Sequence, residues 1–144
     1  MKKILIRTAF IFINLFLLSS CQTGHKYWGK KISHIPFDYH YYESGLASFY
    51  GQDFAGKPTA RGENFDPKLL TAASKTLPLN TLAIVEDDNS KRFVIVRIND
   101  RGPYIKGRVI DLSEGAAQKL GIHRVGVSRV NIYTLTEKPL RTSI

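Results

Sequence analysis

The sequence is poor in cysteine and lacks several signatures of metal and nucleotide chemistry. Its single cysteine, Cys21, excludes an intrachain disulfide. The four histidines are scattered, with no pair at the spacing of metal ligands, which argues against the common zinc motifs. A glycine-rich phosphate loop and a serine nucleophile elbow are also missing. These absences leave the carboxylates as the main candidates for chemistry, and we expect no metal and no cofactor.

The chain also has no apolar stretch long enough for a comfortable membrane span, which needs roughly 20 residues. The main apolar run covers residues 4–18 and is interrupted mainly by Arg7 and Asn14. It follows the basic start Met1–Lys3 and precedes small residues, as in a removable secretory signal. The sequence therefore predicts an exported protein with a signal at residues 1–20.

The four residues Leu18–Cys21 resemble the lipobox of bacterial lipoproteins. The resemblance implies that Cys21 becomes the lipid-bearing first residue of the mature chain, with several acyl chains that anchor it firmly to a membrane. Gln22 follows where aspartate would mark inner-membrane retention, which resembles an outer-membrane sorting signal of the Gram-negative type. We therefore expect a lipid-anchored envelope protein that faces the periplasm. An ordinary signal peptide with an unrelated cysteine is the alternative.

Basic residues outnumber acidic residues even without the signal. The whole chain has 21 Lys and Arg against 12 Asp and Glu, a net charge of +9. Loss of Lys2, Lys3 and Arg7 with the signal leaves 18 basic against 12 acidic residues, a net charge of +6. A basic exported domain suits anionic partners such as cell-wall carboxylates and lipid phosphates. Export argues against nucleic acid as the partner. The alternative is that the positive charge serves solubility alone.

Beyond the signal, residues 21–43 are predicted to be an irregular tether, 44–136 a folded domain and 137–144 a tail. Short runs of alternating or β-branched residues predict strands at 46–50, 69–73, 81–86, 93–99, 108–112 and 127–135. One helix is expected after Ser113, a plausible N-cap, and Gly121 fits its C-terminal end. Short strands with one small helix predict a mainly β fold closed into a barrel.

Four carboxylates lie in turn-rich segments beside the predicted strands. Asp100 follows the strongest strand, Asp111 lies where a short strand meets the helix, and Glu63 and Asp66 share a loop. An acid at the end of a rigid strand is held in place and stays reachable by substrate. Cleavage of a glycosidic bond needs a carboxylic acid of raised pKa near the leaving oxygen. The pattern alone leaves turn stabilisation, helix capping and solvated surface charge as alternatives.

Five ordered motifs extend over nearly the whole predicted domain. They are residues 45–51 (GLASFYG), 54–63 (FAGKPTARGE), 70–78 (LTAASKTLP), 96–103 (VRINDRGP) and 107–113 (GRVIDLS). Together they resemble the rare lipoprotein A (RlpA) family. The resemblance implies a six-stranded double-psi β-barrel with one or two short helices, preceded by an irregular tether.

The resemblance also implies an activity. Active members of the family resemble lytic transglycosylases that cut peptidoglycan glycan strands stripped of their stem peptides. They cleave the bond between N-acetylmuramic acid and N-acetylglucosamine, and the muramic 6-hydroxyl attacks its own anomeric carbon to leave an anhydro end. Because this nucleophile is tethered within the substrate, its effective concentration is high. The reaction needs neither metal nor cofactor.

Several site residues follow from the resemblance, position by position. Glu63, Asp66 and Asp100 match acidic positions of active members. We expect Asp100 to be the general acid, with Asp66 or Asp111 as the second carboxylate. Arg101 is expected to orient Asp100 or bind substrate. The other residues expected in the substrate site are Tyr50, Phe65 and Ser74, and core packing is the alternative for the two aromatics.

Ser74 departs from the family pattern, which usually has histidine at this position. Serine cannot become an imidazolium, and this favours the alternative of a non-catalytic, expansin-like glycan-binding barrel. A structural envelope lipoprotein is a third interpretation. The SPOR domain of longer relatives is not expected, because the chain ends soon after Leu135. We expect a monomer whose partners are peptidoglycan strands and, through lipid on Cys21, a membrane.

Overall fold

The computed structural model describes residues 31–35 and 37–135. The predicted signal, Cys21 and the tail at 137–144 lie outside these residues. In the described part, no helix has the length and apolar content needed to cross a membrane. The positions expected to carry the chemistry, from Tyr50 to Asp111, are all described.

Six strands and one α-helix form the described domain. The strands are β1 (Tyr39–Tyr50), β2 (Thr71–Ser74), β3 (Leu82–Asp87), β4 (Phe93–Asp100), β5 (Arg108–Ser113) and β6 (Ser128–Leu135). The helix, α1, covers Glu114–Leu120 between β5 and β6. Short 3-10 turns lie at Ile32–His34 and Gln52–Phe54.

The strands close into a barrel in the order β1-β5-β2-β4-β3-β6, and β6 pairs back to β1. The pairs β1–β5 and β2–β4 are parallel, while the other neighbouring pairs are antiparallel. A closed ring leaves no strand edge unpaired, which protects a small domain from edge-to-edge association. The predicted six-stranded barrel is therefore confirmed.

Aliphatic side chains fill the barrel. Val and Ile are frequent in β3 and β4, where a β-branched side chain suits the pleated backbone. The largest fully buried side chains are Phe93, Leu77, Ile84, Ile98, Ile110, Leu112, Leu120, Ile132, Val85, Val94, Val96 and Val130. Each contributes about 1.5–3 kcal/mol of hydrophobic stabilisation. This core fixes the strands whose ends carry the site.

Helix α1 begins and ends where the sequence predicts. The Ser113 hydroxyl accepts a hydrogen bond from the Ala116 amide, as an N-cap does. Gly121 ends the helix with φ at 93°, a left-handed conformation that glycine adopts without strain. Ala117 and Leu120 are buried, so the helix packs its apolar face against the barrel.

Strand β1 begins at Tyr39, inside the segment predicted to be an irregular tether. Its first residues pair with β6, with Tyr39 opposite Leu135. The ring of Tyr133 meets those of Tyr39 and Tyr41 edge to face, at 5.5 and 5.9 Å between centroids. Most side chains on both faces of this part of β1 are at least partly exposed, so the sequence shows no alternation. The prediction of irregular structure is wrong for residues 39–43.

Candidate active site

A groove of about 330 Å³ lies beside the strand ends. Its volume falls within the roughly 300–1,000 Å³ range that is usual for small-molecule sites. Its walls are formed by Tyr50, Phe54, Lys57, Pro58, Phe65, Ala73, Asp100, Arg101 and Asp111. Five of these residues were expected from the sequence: Tyr50, Phe65, Asp100, Arg101 and Asp111.

Barrel register brings Asp100 and Asp111 to one place. Asp100 on β4 and Asp111 on β5 are both register partners of Ala73 on β2, which lies between the two strands. Neighbouring strands lie about 4.8 Å apart, and directly paired residues point to the same face. The small Ala73 side chain leaves open space between the two carboxylates.

Asp100 is held at one oxygen and open at the other. Its Oδ1 accepts hydrogen bonds from the backbone amides of Ala60 and Arg101, both at 2.8 Å. These bonds are of the kind by which aspartate stabilises a turn. Among the described residues, no hydrogen bond reaches Oδ2. That oxygen therefore remains available to a bound substrate.

Asp111 is ion-paired. Its Oδ1 accepts hydrogen bonds from the Ser48 hydroxyl, at 2.7 Å, and from the Arg108 guanidinium. Ser113 is the N-cap of α1, so Asp111 does not cap this helix. Arg108 offsets the negative charge of Asp111, which lets a second carboxylate lie near Asp100 with less mutual repulsion.

Tyr50 lines the groove. Its hydroxyl oxygen is buried and has no hydrogen-bond partner among the described residues. Burial raises the pKa of the Tyr50 hydroxyl well above its ordinary value, and the negative charges of Asp100 and Asp111 raise it further. The group therefore stays protonated as a donor. Its ring packs on Phe65, 4.5 Å between centroids, so both aromatics combine packing with groove lining.

Arg101 is fixed by the backbone rather than by a carboxylate. Its guanidinium donates to the carbonyls of Ser74 and Leu77, at 3.0 and 2.7 Å. Its amide donates to Asp100, so it helps to orient that carboxylate through the main chain.

Glu63 is not among the residues that line the groove. Its carboxylate accepts hydrogen bonds from Arg97, Asn99 and Arg61, each with a closest contact of 2.7 Å. These bonds, chiefly the one from Arg97, lower the pKa of Glu63 to about 2. A group that is ionised throughout the neutral range is a poor proton donor. In this geometry Glu63 connects its loop to β4, and its expected role in catalysis stays a prediction.

Asp66 also lies outside the groove walls. It is exposed, and its Oδ1 accepts a 2.9 Å hydrogen bond from the Lys68 amide two residues later. This is an Asx turn, one of the alternatives that the sequence left open. The structure therefore favours Asp111 over Asp66 as the second carboxylate of the site.

Ser74 does not reach the groove either. It is completely buried, and its hydroxyl accepts hydrogen bonds from the amides of Thr76 and Leu77 at 3.3 and 3.1 Å. The expectation that Ser74 contacts substrate is contradicted, because the side chain holds the turn that follows β2. Through its carbonyl, Ser74 also fixes Arg101.

Besides Ala73, three groove residues were not expected from the sequence: Phe54, Lys57 and Pro58. All three lie in the family-like motif at residues 54–63. The motif marks this segment, but the residue types give no chemical reason to select these three for a site. The backbone around them is rigid, because Gly56 donates to the Phe65 carbonyl and Phe65 donates to the Lys57 carbonyl, both at 2.8 Å. Over the described ranges, no cluster of three or more His, Cys, Asp or Glu side chains could hold a metal ion.

A closed ring of six strands therefore frames a groove with two carboxylates, which is the candidate active site. Residues 42–132 match the family described as lytic transglycolase. The chain belongs to this family and, within it, to the RlpA proteins. The family and fold expected from the motifs are both confirmed.

Two relatives and two solved structures show the extent of this similarity. The chain is 54% identical over 93 residues to a probable endolytic peptidoglycan transglycosylase RlpA of Nostoc, a match covering 63% of this chain and 25% of the relative. It is 37% identical to an endolytic peptidoglycan transglycosylase RlpA of Rickettsia felis, in a match covering 91% of this chain and 74% of the relative. The chain thus spans about a quarter of the length of the Nostoc protein.

The solved structures agree on the fold. Streptomyces papain inhibitor is 21% identical with a TM-score of 0.53, over 72% of this chain and 99% of its own. The expansin of Clavibacter michiganensis is 20% identical with a TM-score of 0.51, over 67% of this chain and 50% of its own. At these identities the likeness concerns the barrel alone.

Proposed function

We propose that this protein is a lytic transglycosylase that cleaves peptidoglycan glycan strands between N-acetylmuramic acid and N-acetylglucosamine. The observation that supports it most directly is the placement of Asp100 and Asp111 on either side of Ala73 in one groove. Two relatives of the same family have names that state an endolytic peptidoglycan transglycosylase activity. The preferred substrate is a strand that has lost its stem peptides.

In this proposal Asp100 moves the protons. Its Oδ2, which accepts no hydrogen bond from the described residues, donates a proton to the glycosidic oxygen as the bond from the muramic anomeric carbon breaks. The 6-hydroxyl of the same muramic residue then bonds to that carbon and returns its proton to the carboxylate. The products are a free 4-hydroxyl and a 1,6-anhydromuramic end, and no water is consumed.

Asp111 supports the charges of this reaction. Positive charge develops at the anomeric carbon, and a fixed carboxylate beside it lowers the barrier because it needs no reorganisation. The Tyr50 hydroxyl is a buried donor with no described partner, and the groove carboxylates help to keep it protonated. Two carboxylates therefore provide the polar groups of the reaction, and they lie in a groove with aromatic walls.

Digestion of peptide-stripped peptidoglycan with the purified protein tests the proposal. Mass spectrometry of the soluble fragments should show 1,6-anhydro ends, lighter by one water than hydrolysed ends. Fragments with reducing ends would instead indicate a hydrolase. The matched control is Asp88→Asn, a charge change in the β3–β4 turn that should leave the products unchanged.

One observation favours a non-catalytic glycan-binding barrel as the second candidate. Asp100 accepts two backbone hydrogen bonds at Oδ1, which would suit a purely structural aspartate. In that case the protein would co-sediment with stripped peptidoglycan and release no fragments. The two measurements on one sample separate a binding protein from an enzyme.

The proposed location is the cell envelope, with a lipid anchor on Cys21. The lipobox-like Leu18–Cys21 and the basic start of the chain support it. Incorporation of labelled palmitate into the wild-type protein, and its loss in Cys21→Ser, would test the anchor. Labelling that persists in the variant would contradict it.

A further inference from the structure

The cationic side chains at the groove differ in whether other groups of the protein already bind them. Arg101 on the groove wall is committed to the carbonyls of Ser74 and Leu77. Arg108, next to the groove, is committed to Asp111. The remaining cation on the groove wall is Lys57, and no carboxylate or carbonyl in the described ranges binds its ammonium.

Lys57 is held in position although it is exposed. Its ammonium lies 4.7 Å from the centroid of the Phe54 ring, a cation–π contact. Its backbone amide donates to the Phe54 carbonyl at 3.1 Å, and its carbonyl accepts from Phe65 at 2.8 Å. The Phe54 ring itself meets Tyr50 edge to face at 5.8 Å. Lys57 is therefore a cation held in position on the groove wall. Its charge is opposite to that of the Asp100 carboxylate.

A substrate anion in this groove would be repelled by its carboxylates. Two like charges a few ångströms apart interact unfavourably by about 1 kcal/mol in water and by several times more in a partly buried site. An anionic sugar is therefore favoured beside Asp100 when a cation on the groove wall compensates. Such a sugar is muramic acid, whose lactyl ether bears a free carboxylate once the stem peptide has been removed.

We propose that Lys57, stacked on Phe54, binds the lactyl carboxylate of a peptide-free muramic residue. This inference rests on the proposed function, because it concerns how the same groove recognises its strand. The ammonium binds the carboxylate, and the half-exposed Phe54 ring contacts the lactyl methyl group. A stem peptide would convert that carboxylate into an amide and remove the charge that Lys57 recognises.

Binding to two sugar polymers tests this assignment. Chitooligosaccharides consist of N-acetylglucosamine alone and lack the carboxylate, whereas stripped glycan strands carry it on alternate sugars. Both are titrated against the protein with Asp100→Asn present, so that strands are not cut. Lys57→Gln should weaken binding of stripped strands by about fivefold or more and leave chitooligosaccharide binding unchanged. Lys57→Arg should restore it, and Lys91→Gln is the charge-matched control.

The possible outcomes separate this inference from the proposed function. Equal weakening of both polymers by Lys57→Gln would mean a general wall contact and would overturn the inference. An unchanged affinity for stripped strands would overturn it too. A wild-type protein that releases no anhydro ends, but whose strand binding still depends on Lys57, would refute the proposed catalysis and leave the carboxylate site standing.

Discussion

Asp100 and Asp111 are both register partners of Ala73, one through the parallel pairing of β2 with β4 and the other through the antiparallel pairing of β2 with β5. Residues far apart in sequence thus share one face of three adjacent strands. The barrel topology, rather than any local motif, creates the pair. The mixed order of strands therefore explains how a short chain builds a two-carboxylate site on a rigid frame.

Replacement of Asp111 tests the second carboxylate. Asp111→Asn keeps an oxygen that can accept from Ser48 and Arg108, but it removes the negative charge. We expect the rate of anhydro-product release to fall by about tenfold or more, because charge at the anomeric carbon is no longer stabilised. The rate is measured on stripped peptidoglycan, with Asp88→Asn as control. A wild-type rate would remove Asp111 from the mechanism.

Ser74 should matter for stability more than for chemistry. Ser74→Ala leaves the amides of Thr76 and Leu77 without their buried acceptor. We expect a loss of about 1–2 kcal/mol in the free energy of unfolding, measured by denaturant titration. Activity per folded molecule should stay near that of the wild type. A large loss of activity at full stability would instead give the hydroxyl a direct role.

Much of the fold could be predicted because its signals are local. Alternating residues in 128–135 and the run of Val and Ile after Phe93 predict strands by periodicity alone. Ser113 and Gly121 mark the ends of α1 through capping chemistry. The start of β1 could not be predicted, because Tyr39 is fixed by pairing with Leu135, nearly a hundred positions away.

The residues of the candidate site, too, could be predicted only where their signals are local in the sequence. The groove aspartates Asp100 and Asp111 could be selected because each lies at or near the end of a strand. The roles of Glu63 and Ser74 could not, because they depend on partners that only the folded chain supplies: Arg97 for the first, and the turn amides for the second. Lys57 could not be selected from the sequence, because a lone lysine has no signature and only the folded chain places it over the Phe54 ring.

Glu63 should make stability depend on pH in a defined window. Its pKa is 4.5 in the absence of structure and about 2 in the folded protein. A lowered pKa contributes stability that is fully present above about 4.5 and is lost as pH falls towards 2. Glu63→Gln should therefore lower the melting temperature by several degrees at pH 7, and the difference from wild type should shrink between pH 4.5 and 2.

Melting curves of both proteins at a series of pH values measure this effect. A difference that is constant from pH 7 to pH 2 would show that Glu63 stabilises the loop by packing rather than by its ion pairs with Arg97 and Arg61. A difference that grows on acidification would contradict the lowered pKa.

Asp100→Asn separates proton transfer by Asp100 from binding of the glycan strand. Asparagine keeps the Oδ1 acceptor for the amides of Ala60 and Arg101, so the loop should stay in place, while the transferable proton is lost. Loss of a general acid typically costs 10²–10⁴-fold in rate. We expect the variant still to co-sediment with stripped peptidoglycan but to release anhydro-ended fragments at least about a hundredfold more slowly. Release at the wild-type rate by a folded Asp100→Asn protein would contradict proton transfer by Asp100.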